Sequence, residues 1–136
     1  DRAVAREEAM IVAGVGSRRD TEADELERVV RMALDMFRVP AERLEAIATE
    51  SEKATVPAFL EAARRLSVKL IACTLEDLDR VSGKVLTPSK LVLETKGVPS
   101  IAEASALVGA GRNARLLGTR VATAGATCAI AIGEGR

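Results

Sequence analysis

The chain has 136 residues, of which 48% are hydrophobic, and its 20 basic and 20 acidic side chains leave no formal net charge. This length suits one domain with a sizeable core, and the balanced charge excludes a global field that would attract nucleic acid or an anionic membrane. Histidine, tryptophan and tyrosine are absent, so the usual general base at neutral pH and the usual zinc ligand are missing. Any anion must be bound by a local group of charges.

The two cysteines and the apolar runs limit the class further. Cys73 and Cys128 lie in separate apolar runs without metal-ligand spacing, so we expect buried thiols rather than a metal site or a disulfide framework. No run reaches the roughly 18 apolar residues of a membrane span, and none resembles a signal peptide. We expect a cytoplasmic protein without a cofactor, a membrane partner or a nucleic-acid partner.

The first predicted element is a strand that runs into glycines. Met10 to Ala13 is a short apolar run, and Gly14 and Gly16 follow it directly. Two glycines at this spacing favour a tight turn and a close approach of the backbone to a guest. In α/β proteins the ligand binds at such a corner, at the carboxyl end of a strand.

Two amphipathic helices follow. The first is predicted over residues 21 to 38, capped by Asp20 or Thr21, because its apolar residues recur at helical spacing. The second is predicted over about residues 55 to 66, with Leu60 in its buried stripe. Both helices alternate with strands, which indicates a parallel or mixed sheet with right-handed crossovers.

The remaining elements complete one α/β domain over residues 1–136. We expect a three-layer sandwich, with a mixed, mostly parallel sheet, helices on both faces and a C-terminal antiparallel strand pair. The other predicted elements are strands at Ala46–Thr49 and Val68–Cys73, a short helix capped by Thr74, helices over residues 88 to 95 and Ser100–Val108, and strands at Leu116–Thr123 and Thr127–Ile132.

A hydroxyl and two cations follow the glycines, in the order Ser17, Arg18, Arg19. A dinucleotide fingerprint would need glycine where Arg19 stands, and no Gly-Lys-Ser/Thr ending of a P-loop occurs. Adjacent arginines beside a helix N-terminus suit a polycarboxylate, because each guanidinium pairs with a carboxylate through two hydrogen bonds. The alternative is an exposed loop whose charges pair with Asp20 or Glu22.

A second polar segment comes at the end of the second predicted strand, in the order Thr49, Glu50, Ser51, Glu52, Lys53. If the first two strands are neighbours, this segment faces the same crevice as the arginines, since parallel strands end at one edge of the sheet. The alternative is a polar loop that caps the next helix.

Candidates for catalysis are few. Ser100 and Glu103 have the spacing of a capping box, which alone accounts for both residue types. Without histidine, a general base would have to be Glu50, Glu103, Lys53 or a cysteine with a shifted pKa. The residues themselves therefore predict an anion-binding α/β domain and leave catalysis open.

Four blocks resemble a family of cobalamin-biosynthesis proteins, namely CobE and the C-terminal domain of CbiG, the cobalt-precorrin-5A hydrolase. The blocks occur in the family's order and span nearly the whole chain. They are Gly14–Arg19, Ala48–Lys53, Gly97–Leu107 and Ala126–Ala131.

The chain also departs from the family's pattern. Ser17 stands where the family often has cysteine, so we do not expect a mechanism that needs that thiol. Ser51 and Val56 stand where the family often has acids, while Lys53 is kept. Since 136 residues leave no room for the extra N-terminal regions of CbiG, we expect a protein similar to the stand-alone CobE form.

The resemblance implies a protein that binds a precorrin or a hydrogenobyrinic-acid-like tetrapyrrole, for delivery or to assist a pathway step. Other cobalamin-pathway enzymes are further candidate partners. One alternative is a hydrolase that opens the lactone of a precorrin-5A-type intermediate and releases acetaldehyde, and another is an interaction domain without a ligand; the oligomeric state is open. The expected ligand-binding residues are Gly14, Gly16, Ser17, Arg18, Arg19, Thr49, Ser51, Lys53, Ser100 and Glu103, with Glu103 and Glu50 as candidate catalytic acids.

Overall fold

Strands and short helices alternate along the chain in the computed structural model, which describes residues 9–88 and 100–136. The strands of the described residues are β1 (Met10–Ser17), β2 (Ala46–Glu50), β3 (Lys69–Cys73), β4 (Arg115–Leu116), β5 (Val121–Ala122) and β6 (Ala126–Gly133). The helices are α1 (Ala23–Met36), α2 (Ser51–Ala54), α3 (Pro57–Leu66), α4 (Leu75–Arg80) and α5 (Ile101–Ala110), with 3₁₀ turns at Ala41–Arg43 and Ser82–Lys84.

The strands form one mixed sheet in the order β3-β2-β1-β6-β4, and β5 also pairs with β6. The first three strands are parallel, as right-handed crossovers through helices require. β6 is antiparallel to β1 along its whole length, from the pair Met10 and Gly133 to the pair Ser17 and Ala126. The predicted α/β fold, with a mixed sheet and antiparallel strands at the C-terminal end, is confirmed.

Helices cover both faces of the sheet. The core on one face holds the apolar side of α1 and α3, and the core on the other face holds α5 together with Leu78 of α4. Residues of β1 alternate between the two cores, with Ala13 and Val15 in the first and Val12 in the second, since successive side chains of a strand point to opposite faces.

The predicted glycine turn is wrong, because β1 continues through both glycines to Ser17. Gly14 pairs with Ala129 of β6, and Gly16 pairs with Thr127. A Cβ atom at position 14 would overlap the backbone of α5 at Ala102 and Ala106. The missing side chain at Gly14 therefore serves the close packing of helix on sheet, and the chain turns only after Ser17.

The predicted cap of α1 is also wrong. The N-cap residue is Glu22, which makes no side-chain capping hydrogen bond. The Thr21 hydroxyl instead donates to the carbonyl oxygens of Arg18 at 2.9 Å and Gly125 at 3.0 Å. Thr21 thus ties the loop after β1 to the turn between β5 and β6.

Two further predictions need correction. Leu60 is 52% exposed rather than part of the buried stripe of α3, in which Phe59 and Ala63 are buried as expected. The predicted strand over 116–123 is two short strands, β4 and β5, that pair with different parts of β6. Between them Gly118 lies against the ring of Phe37, at a spacing that would leave no room for a Cβ atom.

Other predictions agree with the structure. The Thr74 hydroxyl accepts a hydrogen bond from the Asp77 backbone N–H at 3.1 Å, so the predicted cap of α4 is confirmed. The helix predicted over residues 88 to 95 lies outside the described residues, apart from its first position.

Candidate functional site

A cavity of about 240 Å³ opens at the carboxyl ends of β1 and β2. The loop after β1 forms one wall, and α2 with the start of α3 forms the other. The lining residues are Ser17, Arg18, Arg19, Asp20, Thr21, Glu52, Lys53, Val56 and Phe59.

Lys53 joins the two walls. Its Nζ donates to the backbone carbonyl oxygen of Ser17 at 3.0 Å and lies 3.4 Å from the Ser17 hydroxyl oxygen. This contact is possible because β1 and β2 are parallel neighbours, with Gly14 opposite Ala48, and α2 follows β2 without a gap. An ammonium group carries three N–H donors, so one remains available to a ligand when two point at Ser17.

Arg18 and Arg19 are exposed at the rim of this cavity. The backbone N–H of Arg18 donates to the Gly125 carbonyl oxygen at 2.9 Å, so the loop that carries both guanidinium groups is fixed at its start. Within residues 9–88 and 100–136, neither guanidinium forms an ion pair with Asp20 or Glu22. The described structure thus lacks the pairing that the exposed-loop alternative requires.

Glu25 of α1 anchors the turn that faces the arginine loop. Its carboxylate accepts hydrogen bonds of 2.5 Å from the Thr123 hydroxyl and from the Gly125 backbone N–H. These bonds, helped by the positive charges of Arg28 and Arg18, hold the pKa of Glu25 below its ordinary value. The same turn receives the hydrogen bonds of Thr21 and of the Arg18 backbone, so it fixes the cavity wall.

The other expected residues of the second segment, at the end of β2 and the start of α2, do not line the cavity. Thr49 is fully buried, and its hydroxyl donates to the Val15 carbonyl oxygen at 2.6 Å, where it ties β2 to β1. Glu50 is 3% exposed, and Ser51 is exposed at the first position of α2. Of the predicted second segment, the structure brings Glu52 and Lys53 to the cavity of the arginines.

Ser100 and Glu103 lie at the start of α5, on the opposite face of the sheet from α1 and α3. The Ser100 hydroxyl accepts from the Glu103 backbone N–H at 3.3 Å, as an N-cap does, and Arg120 Nη1 lies 3.4 Å from the same oxygen. Glu103 Oε1 accepts from the Thr87 backbone N–H at 2.9 Å. The predicted cap is therefore present, but the glutamate binds another segment instead of completing the box.

The glutamate is also inaccessible. Glu103 is fully buried, and its second oxygen, Oε2, has no hydrogen-bond partner among the described residues. Neither Glu103 nor Ser100 lines the cavity of the arginines. Their roles in catalysis and in ligand binding remain predictions.

Sequence reasoning missed several wall residues. Asp20, Thr21, Val56 and Phe59 line the cavity without having been predicted as site residues, and Glu52 was part of the predicted second segment but not one of the expected ligand-binding residues. The helical spacing placed Phe59 in the core, and it is 2% exposed, yet it also lines the cavity. The contact of Glu25 with Gly125 spans 100 positions and has no signal in the sequence.

The cysteines and the acidic residues offer no metal site in the described parts of the chain. No group of three or more His, Cys, Asp or Glu residues that could hold a metal ion occurs there. Cys73 and Cys128 are buried free thiols, as predicted, and burial raises the pKa of Cys73 to about 11. No helix among the described residues is both long enough and apolar enough to span a bilayer.

Comparison with known proteins places the chain in a family. The model of the family described as "Cobalamin synthesis G C-terminus" matches residues 11–131. Protein CobE of a Sinorhizobium species is 33% identical over 123 residues, which are 90% of this chain and 80% of that protein.

Solved structures agree with this match. The structure of CobE, a protein from the cobalamin (vitamin B12) biosynthetic pathway, has a TM-score of 0.85 at 27% identity and covers 94% of this chain and 93% of its own. The cobalamin biosynthesis protein chiG from Agrobacterium tumefaciens has a TM-score of 0.72 at 35% identity, and the match covers 91% of this chain and 98% of that protein. A cobalamin biosynthesis protein G homolog from Sulfolobus solfataricus has a TM-score of 0.69 at 26% identity. The match covers 90% of this chain and 36% of that protein. The chain belongs to the cobalamin synthesis G C-terminus family.

Proposed function

We propose that the protein binds a polycarboxylate tetrapyrrole of cobalamin biosynthesis, a precorrin or a hydrogenobyrinic-acid-like corrinoid, in the cavity between the loop after β1 and α2. The observation that carries this proposal is the convergence of Arg18, Arg19 and Lys53 on one cavity. The family supplies the pathway, and the cavity supplies the chemistry that recognises the ligand.

The residues of the cavity suit the chemistry of such a ligand. Guanidinium and ammonium groups bind carboxylates through charge-assisted hydrogen bonds, and the acetate and propionate groups of a precorrin carry many carboxylates. Val56 and Phe59 add apolar surface, which suits the carbon skeleton of the ligand. A protein without net charge needs such a local group of cations to hold a polyanion.

The geometry favours binding and delivery over lactone hydrolysis. Glu50 and Glu103, the acids considered for catalysis, are 3% and 0% exposed and do not line the cavity. A general base must reach the proton that it abstracts, directly or through one water molecule. The described lining of the cavity thus contains cations that can bind carboxylates but neither of the two expected catalytic acids.

The test is a spectroscopic titration of the purified protein with hydrogenobyrinic acid. The double variant Arg18→Ala/Arg19→Ala should bind at least about tenfold more weakly, because loss of one hydrogen bond to a charged group costs about 1.5–3 kcal/mol. The matched control is Arg112→Ala/Arg115→Ala, which removes the same charge from exposed positions near the opposite end of the sheet. Equal affinities of the two double variants, or no binding by the unaltered protein, would overturn the proposal.

A further inference from the structure

The cavity is small compared with the ligand class of the proposed function. Its volume is about 240 Å³, whereas sites that bury about 70–90% of a drug-sized molecule measure about 300–1,000 Å³. A tetrapyrrole is larger than such a molecule. The described cavity therefore has room for a peripheral substituent of the ring but not for the ring.

The charge of the cavity also indicates that it binds only a part of the ligand. Of the described residues that line it, three are cationic, Arg18, Arg19 and Lys53, and two are anionic, Asp20 and Glu52, which leaves a net charge of +1. A single excess charge offsets about one carboxylate. A polyanion with all its carboxylates in this cavity would meet two like charges there, which disfavours that arrangement.

The cations of the cavity differ in exposure. Lys53 is partly buried and is held on Ser17 at the end of β1, whereas Arg18 and Arg19 are exposed. Phe59, which also lines the cavity, is 2% exposed. A carboxylate on a short alkyl chain that enters from solvent can therefore meet both exposed guanidinium groups and a partly buried ammonium group.

On the basis of the proposed function, we propose that the protein grips the tetrapyrrole by one carboxylate-bearing edge and leaves most of the macrocycle outside the cavity. Recognition then depends on the substituent and hardly on the ring. The ring stays accessible to the enzyme of the reaction that consumes the ligand, so transfer does not require the cavity to open around it.

Two probes test this edge grip. Uroporphyrin I carries acetate and propionate groups on a planar aromatic ring that differs from a corrin, and it should bind within about tenfold of hydrogenobyrinic acid, a difference below 1.4 kcal/mol. Propane-1,2,3-tricarboxylate, which has no ring, should displace both compounds. The Arg18→Ala/Arg19→Ala variant should lose affinity for all three.

Accessibility of the bound ring gives a second readout. Acrylamide, a neutral quencher, should quench the fluorescence of bound uroporphyrin with a constant at least about half that of the free compound, whereas an enclosed ring with about 70–90% of its surface buried would keep less than about a third. The edge grip is overturned if bound uroporphyrin is protected from acrylamide. It is also overturned if the corrinoid alone binds and the tricarboxylate does not displace it. Neither result contradicts the proposed function, which fails only if the corrinoid does not bind or if its affinity is unchanged in the arginine variant.

Discussion

Lys53 Nζ lies 3.0 Å from the backbone carbonyl oxygen of Ser17 and thereby links the segment after β2 to the end of β1. Thirty-six positions separate the two residues in the sequence. Their contact joins two separate polar segments at one cavity, which is lined by one ammonium group and two guanidinium groups. The proposed binding of a carboxylate depends on this contact.

Lys53→Met should weaken the binding of hydrogenobyrinic acid by up to about fivefold. The substitution keeps most of the length of the side chain and removes its charge and its N–H donors, and an exposed ion pair contributes about 0.2–1 kcal/mol. The titration used for the arginine variants measures this loss. Lys69→Met, at an exposed position at the start of β3, is the control, and an equal loss in the control would contradict the role of Lys53.

Gly14→Ala should destabilise the protein by about 1–3 kcal/mol, the range for an overpacked core. The added Cβ would overlap backbone atoms of Ala102 and Ala106, which cannot move without a shift of α5. Urea unfolding followed by circular dichroism measures the free energy of unfolding. Gly83→Ala is the control, because a Cβ atom there meets nothing within 4 Å; a Gly14 variant as stable as this control would contradict the packing described for α5.

Glu25→Gln should lower stability at neutral pH and lose this effect in acid. The folded-state pKa of Glu25 is held below its ordinary value of 4.5 by the hydrogen bonds from Thr123 and Gly125. A depressed pKa contributes stability that is fully present above the unfolded-state value and is lost as the pH falls through the folded-state value. Unfolding free energies of the unaltered protein and the variant should therefore converge below pH 4.5.

The comparison for Glu25 is Glu42→Gln, a change at an exposed carboxylate on the 3₁₀ turn. This control corrects for the general loss of one negative charge. Arg64 and Arg65 hold the pKa of Glu61 at about 2, and this titration is the same in all variants. If the difference in unfolding free energy between the unaltered protein and the Glu25 variant is constant from pH 7 to pH 3, the proposed effect of the hydrogen bond from Gly125 to Glu25 is contradicted.

The thiols should react slowly in the folded protein. Burial raises the pKa of Cys73 to about 11, against 9.0 for an ordinary thiol, and raises that of Cys128 as well. Since the thiolate is the reactive form, labelling with a disulfide reagent at pH 8 should be at least about a hundredfold slower than in guanidinium chloride. Two thiols that react as fast in buffer as in denaturant would show that the described cores are open.

Local patterns in the sequence predicted the class of the fold and the main elements. The helical spacing of α1, the cap at Thr74 and the apolar run of β3 each depend on residues close in sequence, so local rules suffice. That β1 and β2 are neighbours was only a condition of the predicted crevice, and the structure meets this condition.

The errors arose where a residue serves a distant contact. Gly14 was predicted to form a turn because the sequence does not show that α5 packs on it. Thr21 was predicted as a helix cap, yet its hydroxyl donates a hydrogen bond to Gly125, which is 104 positions away. For the site, the positions after the first two predicted strands singled out the arginines and Lys53, but the contribution of Val56 and Phe59 to the same cavity depends on the tertiary placement of α2 and α3.

The most direct test of the account is a map of backbone amide shifts during titration with hydrogenobyrinic acid. ¹H–¹⁵N correlation spectra should show the largest changes at residues 17–21 and 52–56, which border the cavity, and small changes at residues 111–115 near the opposite end of the sheet. Largest changes at 111–115, or an unchanged spectrum in the presence of excess corrinoid, would contradict it.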